Sequence, residues 1–303
     1  MRVDAHCHVV QEDWLGEGYW DGVARVGAAV LPGVDASMLR EAVIPSYFDA
    51  DGSSQLAAME TAGLDVAVLF PFDWSGWERL GPVGTGWREQ NAWYRDFAAA
   101  NPGAIRWGFG ADPRHEGALE ACREALANEG AVVVKLHPSS GFALNDPVVY
   151  PFLEAAGEAG VPVLFHTGPS PTPAHSHFSD PRLLDQVAAD FQDVRIVAGH
   201  TANLLWRDVL AVAALKPNVF CEISGWQVRF QRNPGRFYED VREVLDVVGP
   251  HRLMWGTDAP HYRPVVADDD FLAAFTAAPE GTFTADEVDA ICGGTAAALF
   301  GLS

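Results

Sequence analysis

Apolar runs rich in β-branched residues recur along the chain, separated by segments with helical periodicity. Most of the runs are continuously apolar and do not alternate with polar residues, which is typical of strands buried on both faces of a parallel sheet. The runs are "MRVDAHCHVV" at residue 1, "LDVAVLFPF" at 64, "IRWGFGAD" at 105, "AVVVKLHP" at 131, "VPVLFHTG" at 161, "VRIVAGHT" at 194, "NVFCEISG" at 218 and "RLMWGTDAP" at 252.

The segments between these runs predict helices, for example "EGALEACREALANEG" and "GRFYEDVREVLDVVG". Several end at glycine, the usual C-terminal stop of a helix. Most strand starts are roughly 24 to 40 residues apart, the spacing of βα units. Eight such units predict an α/β fold of the (β/α)₈ TIM-barrel type. A doubly wound open sheet is the alternative, but no GxGxxG turn follows the first strand.

One connection is too long for this scheme. Residues 11–52, between the first two strands, have only a weak helical pattern and are rich in aromatic residues. We interpret this segment as an insertion beside the barrel mouth, forming a small hairpin or lid, with a plain surface loop as the alternative. No linker or repeat divides the chain, so residues 1–303 are predicted to be a single domain. The aromatic residues of the insertion include Trp14, Tyr19, Trp20, Tyr47 and Phe48.

Composition and net charge exclude some classes of function. The net charge of −21 argues against binding to nucleic acid or to an anionic membrane, because phosphate contacts need a basic surface. No apolar run reaches the length of about 18 residues that a membrane span requires, and no signal peptide is recognisable. The four cysteines are scattered without CxxC spacing, which favours a reduced cytoplasmic protein. A small-molecule substrate is the expected partner.

Polar residues interrupt the predicted strands where they end. In a barrel the carboxyl ends of all strands meet at one mouth, where active sites lie. Imidazole and carboxylate groups are ligands for Zn²⁺ and similar divalent ions. The strand ends therefore predict a metal site at the mouth. These residues are His6 and His8 on the first strand, Lys135 and His137 on the fourth, His166 on the fifth, His200 on the sixth and Asp258 on the eighth.

The order of these motifs resembles the amidohydrolase superfamily, in the branch of metal-dependent hydrolases and decarboxylases that includes aminocarboxymuconate-semialdehyde decarboxylase. The resemblance is carried by "DAHCH", "VKLHP", "PVLFHTG", "IVAGHTA", "LMWGTDAPH" and "GGTAAALFGL", and it covers nearly the whole chain.

The resemblance implies that His6, His8, His166 and Asp258 hold one divalent metal ion. Zn²⁺ is the expected ion and Mn²⁺ the alternative. His200 would act on the nucleophilic water or on the substrate, and Asp258 would accept the water's proton. The resemblance also implies a homodimer or a larger oligomer.

Lys135 has two interpretations. Carboxylated, it would bridge to a second metal ion, which we consider the weaker option; as an ammonium, it would bind a substrate carboxylate. His137 shares its face of the strand and is expected in the pocket.

Further substrate-binding candidates follow the second, seventh and eighth strands. Their aromatic rings suit a planar substrate and their guanidinium groups a carboxylate, with core packing and solvated surface as the alternatives. Glu222 is interpreted equally as a mouth carboxylate or as a hydrogen-bonded core acid, and His175 and His177 as loop residues. The candidates are Phe72, Trp74, Trp226, Tyr262, Arg229 and Arg263.

Two reactions remain open on these residues. The first is hydrolysis of an amide, ester or lactone by a metal-bound hydroxide, which "VKLHP" and "HTG" favour. The second is non-oxidative decarboxylation of an aromatic or unsaturated acid, which the aromatic candidates favour. A non-catalytic metal-binding scaffold is a third, weaker hypothesis.

Overall fold

In the computed structural model of the chain, residues 1–30 and 33–302 are described. Their strands are parallel and pair in sequence order within two sheets, β1-β2-β3 and β4 to β9. The strands are β1 (Val3–Cys7), β2 (Val66–Leu69), β3 (Ile105–Trp107), β4 (Phe109–Gly110), β5 (Val134–Leu136), β6 (Val163–His166), β7 (Ile196–Gly199), β8 (Val219–Glu222) and β9 (Leu253–Met254).

Backbone hydrogen bonds join the two sheets into a barrel. At Gly108, the amide donates to Leu69 O at 2.8 Å, and the amide of Phe109 donates to Val133 O at 2.9 Å. Thus β3 and β4 are two halves of one barrel strand. On the other side, the Ala5 amide donates to Trp255 O at 3.2 Å. The predicted (β/α)₈ barrel is confirmed.

An irregularity in β1 sets the direction of its side chains. Val3 and Ala5 pack in a buried cluster with residues from the other strands and with α13, whereas Cys7 packs in the larger cluster with the surrounding helices. The register between β1 and β2 shifts between Asp4 and Cys7. Such a bulge changes which face successive side chains occupy. In a regular strand, Ala5 and His6 would face opposite sides of the sheet. The bulge lets Ala5 pack inside the barrel while the next residue, His6, points to the barrel mouth.

The helices follow the strands as the periodicity predicts, with short 3₁₀ and π turns between them. They are α1 (Glu17–Val30), α2 (Ala36–Met38), α3 (Ser53–Ala62), α4 (Trp87–Ala100), α5 (Ala118–Asn128), α6 (Tyr150–Ala159), α7 (Leu184–Asp190), α8 (Trp206–Ala213), α9 (Gln227–Arg232), α10 (Pro234–Val248), α11 (Asp268–Thr276), α12 (Ala285–Asp289) and α13 (Thr295–Phe300). Within residues 1–30 and 33–302, none of them combines the length and apolar character that crossing a bilayer requires.

The long connection after β1 is helical, so the predicted hairpin is wrong. It contains α1 and α2, followed by a π turn at Leu39–Val43 and a 3₁₀ turn at Ile44–Tyr47. Glycines within and just before α1 weaken the helical pattern of the sequence. They have a packing role: a Cβ on Gly16 would lie 2.0 Å from Leu80 O, and a Cβ on Gly22 would lie 1.6 Å from Thr172 O. The absence of a side chain at these two positions lets the start of α1 lie directly against loops that follow barrel strands.

We predict that Gly22→Ala is destabilising, by about 1–3 kcal/mol, because the added methyl group overlaps the Thr172 carbonyl and forces α1 away from its loop. Urea denaturation followed by circular dichroism measures the change. Gly103→Ala is the matched control, since no heavy atom lies within 4 Å of its added Cβ. Equal stability of the two variants would contradict the described docking of α1.

Candidate metal centre

Three predicted ligands meet at the barrel mouth. His6 Nε2 and His8 Nε2 lie 3.2 Å apart, and Asp258 Oδ1 lies 3.6 Å and 3.4 Å from them, respectively. The histidines come from the end of β1 and the aspartate from the segment after β9. The closing backbone bond, from the Asp258 amide to His6 O at 2.7 Å, brings these segments together. Three ligand atoms of suitable type therefore face one another.

The other ring nitrogens of both histidines have fixed partners. His6 Nδ1 lies 2.7 Å from Glu222 Oε1, and His8 Nδ1 lies 2.6 Å from Phe70 O. An acceptor at Nδ1 keeps the proton there and leaves the Nε2 lone pair free for a metal ion. Glu222 is completely buried and also accepts bonds from the His200 and Ser224 amides. Of its two sequence interpretations, the hydrogen-bonded core acid matches this geometry.

The protonation states suit metal binding. Burial lowers the pKa of His6 well below its ordinary value, and nearby Lys135 lowers it further; burial also lowers the pKa of His8. For Asp258, burial opposes ionisation, but the electrostatic effect of the neighbouring His200 and a hydrogen bond to His8 bring its pKa below the usual range. Neutral imidazoles and an ionised carboxylate are the forms that bind a divalent ion, so the donor set fits one.

The remaining predicted ligand, His166, lies beside this group in a different arrangement. Its Nδ1 is 3.0 Å from His200 Nε2, and its Nε2 is 2.9 Å from Ser170 Oγ. Burial lowers the pKa of His166 well below its ordinary value. His166 is thus a neutral ring next to the centre, with both nitrogens facing other side chains. Its role as a ligand stays a prediction.

Lys135 and His137 both lie in the pocket, at the end of β5. Lys135 Nζ is 3.3 Å from His6 Nε2, and burial lowers the pKa of this ammonium to about 8. His137 stacks on His166, with ring centroids 4.1 Å apart, and contacts Trp74 edge-on at 4.7 Å. Both alternatives for Lys135 remain compatible with a position this close to the ligands.

Left-handed backbone positions His200 and Asp258. Asp258 has φ of 53°, and His200 begins a run of four residues with positive φ that ends at Asn203. Non-glycine residues adopt this region rarely, and their surroundings must hold them there. Around His200, Trp226 Nε1 donates to its carbonyl at 2.8 Å, and the Thr201 hydroxyl donates to Glu222 O at 2.8 Å.

His200 lies between a serine and the aspartate. Its Nδ1 is 2.8 Å from Ser224 Oγ and 3.9 Å from Asp258 Oδ2. Asp258 therefore has one oxygen towards the two histidines of β1 and the other towards His200. At 3.9 Å the two groups are neighbours without a direct hydrogen bond, and both lie close enough to exchange protons with a molecule bound between them.

A cavity of about 530 Å³ opens above these groups. Its floor contains the residues at the strand ends, and its walls are mostly aromatic and aliphatic. Helix α1 and the segment before α3 supply one wall. The sequence predicted an insertion beside the mouth but did not show which of its residues line the cavity. The wall residues include Tyr19, Val23, Val26, Tyr47, Phe72, Trp74, Leu204, Val228, His261 and Tyr262.

Three substrate-binding candidates lie elsewhere, which corrects the expectation for them. Trp226 is fully buried beneath the His200 loop. Arg229 pairs with Asp240 and stacks over Trp226, with its guanidinium carbon 4.7 Å from the ring centroid. Arg263 pairs with Asp268 at 2.8 Å. Within the described part of the chain, none of these three lines the cavity.

The phase of the short helix α9 explains part of this correction. Val228 and Arg232, one turn apart, face the cavity, while Arg229 faces α10. The sequence shows the arginines, but it does not show which face of a six-residue helix is turned to the cavity. His175 precedes the 3₁₀ turn at Ser176–Ser179 and His177 lies within it; both are residues of the loop after β6, with ring centroids 5.6 Å apart.

Sequence reasoning missed Asp4 and His261. Asp4 is completely buried, and it accepts hydrogen bonds from the Thr257 amide at 3.0 Å and the Thr257 hydroxyl at 2.6 Å. The available signal in the sequence was an acidic residue at the second position of β1, a strand that is buried throughout. His261 lines the cavity and bonds to the Tyr19 hydroxyl at 2.8 Å. His261 is the last residue of the "GTDAPH" motif, and this position was the available signal in the sequence.

The fold and the centre define a class: a (β/α)₈-barrel protein with a candidate metal site at the carboxyl ends of its strands. The comparisons with known proteins make the assignment narrower. The chain belongs to the amidohydrolase family, whose model, described as "Amidohydrolase", matches residues 3–302.

Relatives of two activities resemble the chain. An L-fucono-1,5-lactonase of Burkholderia multivorans is 32% identical over 109 residues, 34% of this chain, and the match spans only 37% of that protein. A 5-carboxyvanillate decarboxylase of Novosphingobium aromaticivorans, solved with manganese and a nitrobenzoic acid, has a TM-score of 0.69 at 15% identity, covering 99% of this chain and 96% of that one. A probable 2-pyrone-4,6-dicarboxylic acid hydrolase of Acinetobacter baumannii has a TM-score of 0.65 at 17% identity, covering 99% of each chain. At these identities, the solved structures show the fold.

We predict that His8→Ala lowers the metal content of the purified protein, because it removes one of the three converging ligand atoms. Elemental analysis after equilibration with Zn²⁺ measures the ions bound per chain. His177→Ala is the control, since its ring lies in the loop after β6, outside the ligand group. Full stoichiometry in His8→Ala would contradict the centre as described.

A second prediction concerns the acid behind the histidine. Glu222→Gln should weaken metal affinity by roughly 10- to 100-fold, because the neutral amide no longer supports the Nδ1 proton of His6. Competition with a chelator of known affinity measures this change. A variant that folds with unchanged affinity would show that Glu222 has only a packing role.

Proposed function

We propose that the protein is a metal-dependent hydrolase that opens a C–O bond of a small lactone or ester, with amides as the wider class. The observation that carries this proposal is the position of Asp258, whose carboxylate has one oxygen at the two β1 histidines and the other towards His200. Hydrolysis needs a group that takes a proton from water and returns it to the leaving oxygen. We assign the first role to Asp258 and the second to His200.

A divalent ion held by His6, His8 and Asp258 would supply Lewis-acid chemistry, polarising the substrate carbonyl and lowering the pKa of an adjacent water molecule. Zn²⁺ suits these nitrogen and carboxylate ligands, and Mn²⁺ is the alternative, supported by the manganese in a related structure. His166 is proposed as a further ligand on the resemblance alone.

The chain's own residues carry the remaining steps. Asp258 accepts the proton of the attacking water as the new C–O bond forms. When the acyl C–O bond breaks, the same proton passes through His200, held by Ser224 and by the Trp226 contact to its carbonyl, to the leaving alkoxide. Lys135, with its ammonium 3.3 Å from His6, adds positive charge near the oxygen that gains negative charge in the transition state.

Decarboxylation of an aromatic acid is the second candidate, and the aromatic wall of the cavity favours it. Besides the divalent ion, a cationic side chain in the cavity would strengthen the binding of a carboxylic acid substrate. The arginines expected for this purpose, Arg229 and Arg263, pair with buried acids outside the cavity. Lys135 on the floor and Arg232 at the rim remain. The partial match to a lactonase also supports hydrolysis.

Action on a small molecule without nucleic acid or membrane, a single domain, and assembly as a homodimer stay predictions. The cytoplasmic location is likewise proposed from the composition alone.

Product analysis tests the function. We expect the Zn²⁺- or Mn²⁺-loaded protein to release acid from simple lactones and esters, measured by pH-stat titration. His200→Ala should lower kcat by roughly 10²- to 10⁴-fold while metal content stays unchanged, because His200 acts on protons. Release of bicarbonate from aromatic acids, without lactone turnover, would assign the decarboxylase activity instead.

A further inference from the structure

Two exposed aliphatic side chains lie where the cavity reaches solvent. Val26 is 43% exposed and Leu204 is 75% exposed, and both line the cavity that contains the metal centre. Exposed large aliphatic side chains are unfavourable in water, and a contiguous group of them commonly marks a binding site. These two lie at the mouth, beside Val23 and Val228 of the inner walls.

Separate parts of the chain supply this surface. Val23 and Val26 are on α1, Leu204 is in the loop after β7, and Val228 is on α9. The core-facing side of α1 is already occupied by Trp20 and Ala24, which are buried in the cluster below it. Val23 also packs partly against that cluster, whereas Val26 does not belong to it and is 43% exposed. A folding requirement of α1 alone does not explain apolar residues on three elements that meet at one opening.

Two hydroxyl groups of the same cavity are already engaged. The Tyr19 hydroxyl bonds to His261 at 2.8 Å, and the Ser170 hydroxyl lies 2.9 Å from His166 and 2.6 Å from Ser139. A substrate hydroxyl group placed against Val26 and Leu204 would lose water there and gain no partner from these side chains, which is costly. A substrate with an alkyl or aryl substituent would cover exposed aliphatic surface instead, which is favourable.

We propose that the substrate is a lactone or ester bearing an apolar alkyl or aryl group, which lies between α1 and α9 and reaches Leu204 at the mouth. This inference rests on the proposed hydrolase function. Val23, Val26, Leu204 and Val228 are the residues that determine specificity. The substrate class differs from the sugar lactone that the name of the partial relative states.

A homologous series of δ-lactones tests the proposal with the metal-loaded enzyme. The series runs from the unsubstituted ring to an octyl substituent, with a polyhydroxylated δ-lactone as a comparison. We expect kcat/KM to rise by up to about fourfold per methylene until the chain passes Leu204, because each buried methylene contributes a similar transfer free energy. The polyhydroxylated lactone should be a poorer substrate than any alkyl lactone.

Variants locate the effect. Leu204→Ser and Val26→Ser should each lower the ratio of kcat/KM for octyl over unsubstituted lactone by at least threefold. Leu215→Ser and Val247→Ser are matched controls, because these residues are 79% and 37% exposed at positions outside the cavity lining. The controls should keep the ratio of the unaltered enzyme.

The outcomes separate two failures. Turnover of lactones with no dependence on alkyl length, or preference for the polyhydroxylated lactone, would overturn the apolar-substrate proposal and leave the hydrolase function standing. No turnover of any lactone or ester would overturn the hydrolase function and this inference with it. Sedimentation adds a further outcome: a Leu204→Ser protein that loses a dimer but keeps the alkyl ratio would make the mouth an interface between copies and reject the proposal.

Discussion

The contact between the first strand and the segment after the last strand is the constraint on which the metal centre depends. Backbone hydrogen bonds join Ala5 to Trp255, His6 to Asp258 and His8 to Ala259. Buried Asp4 strengthens the same seam through the amide and hydroxyl of Thr257. Because the candidate ligands His6, His8 and Asp258 lie within this seam, closing the barrel also brings their donor atoms together. A barrel left open here would keep its other strand pairs but separate the histidines from Asp258.

Around this seam, hydrogen bonds to the main chain fix the reactive side chains. Glu222 receives the amides of His200 and Ser224 as well as His6 Nδ1. Left-handed backbone at His200 and Asp258 costs free energy, on the order of 1–3 kcal/mol per residue. Gly168 lets the neighbouring loop approach, since a Cβ there would lie 2.3 Å from Ala202 O. The surroundings, and not the local sequence, thus hold the His200 loop in shape.

The sequence predicted those residues of the candidate site that lie at the ends of strands. Polar residues interrupting buried apolar runs indicated His6, His8 and Asp258, because parallel strands must deliver such residues to one mouth. Prediction was weaker where local geometry decides the outcome. The phase of α9 sends Arg229 away from the cavity, glycines obscured the helix α1, and a bulge in β1 has no clear sequence marker. The ring orientation of His166, set by His200 and Ser170, is likewise invisible in a strand pattern.

The closing seam has a consequence for how the protein is made. Asp4 and Thr257 are 253 positions apart, and His6 and Glu222 are 216 apart. A ribosome must therefore release most of the barrel before the first-strand histidines can meet their partners. Until then they are two nearby imidazoles with no carboxylate, a weak and unselective pair. A metal ion held by this site would thus be selected late in biosynthesis, by the nearly complete fold and from the ions that surround it then.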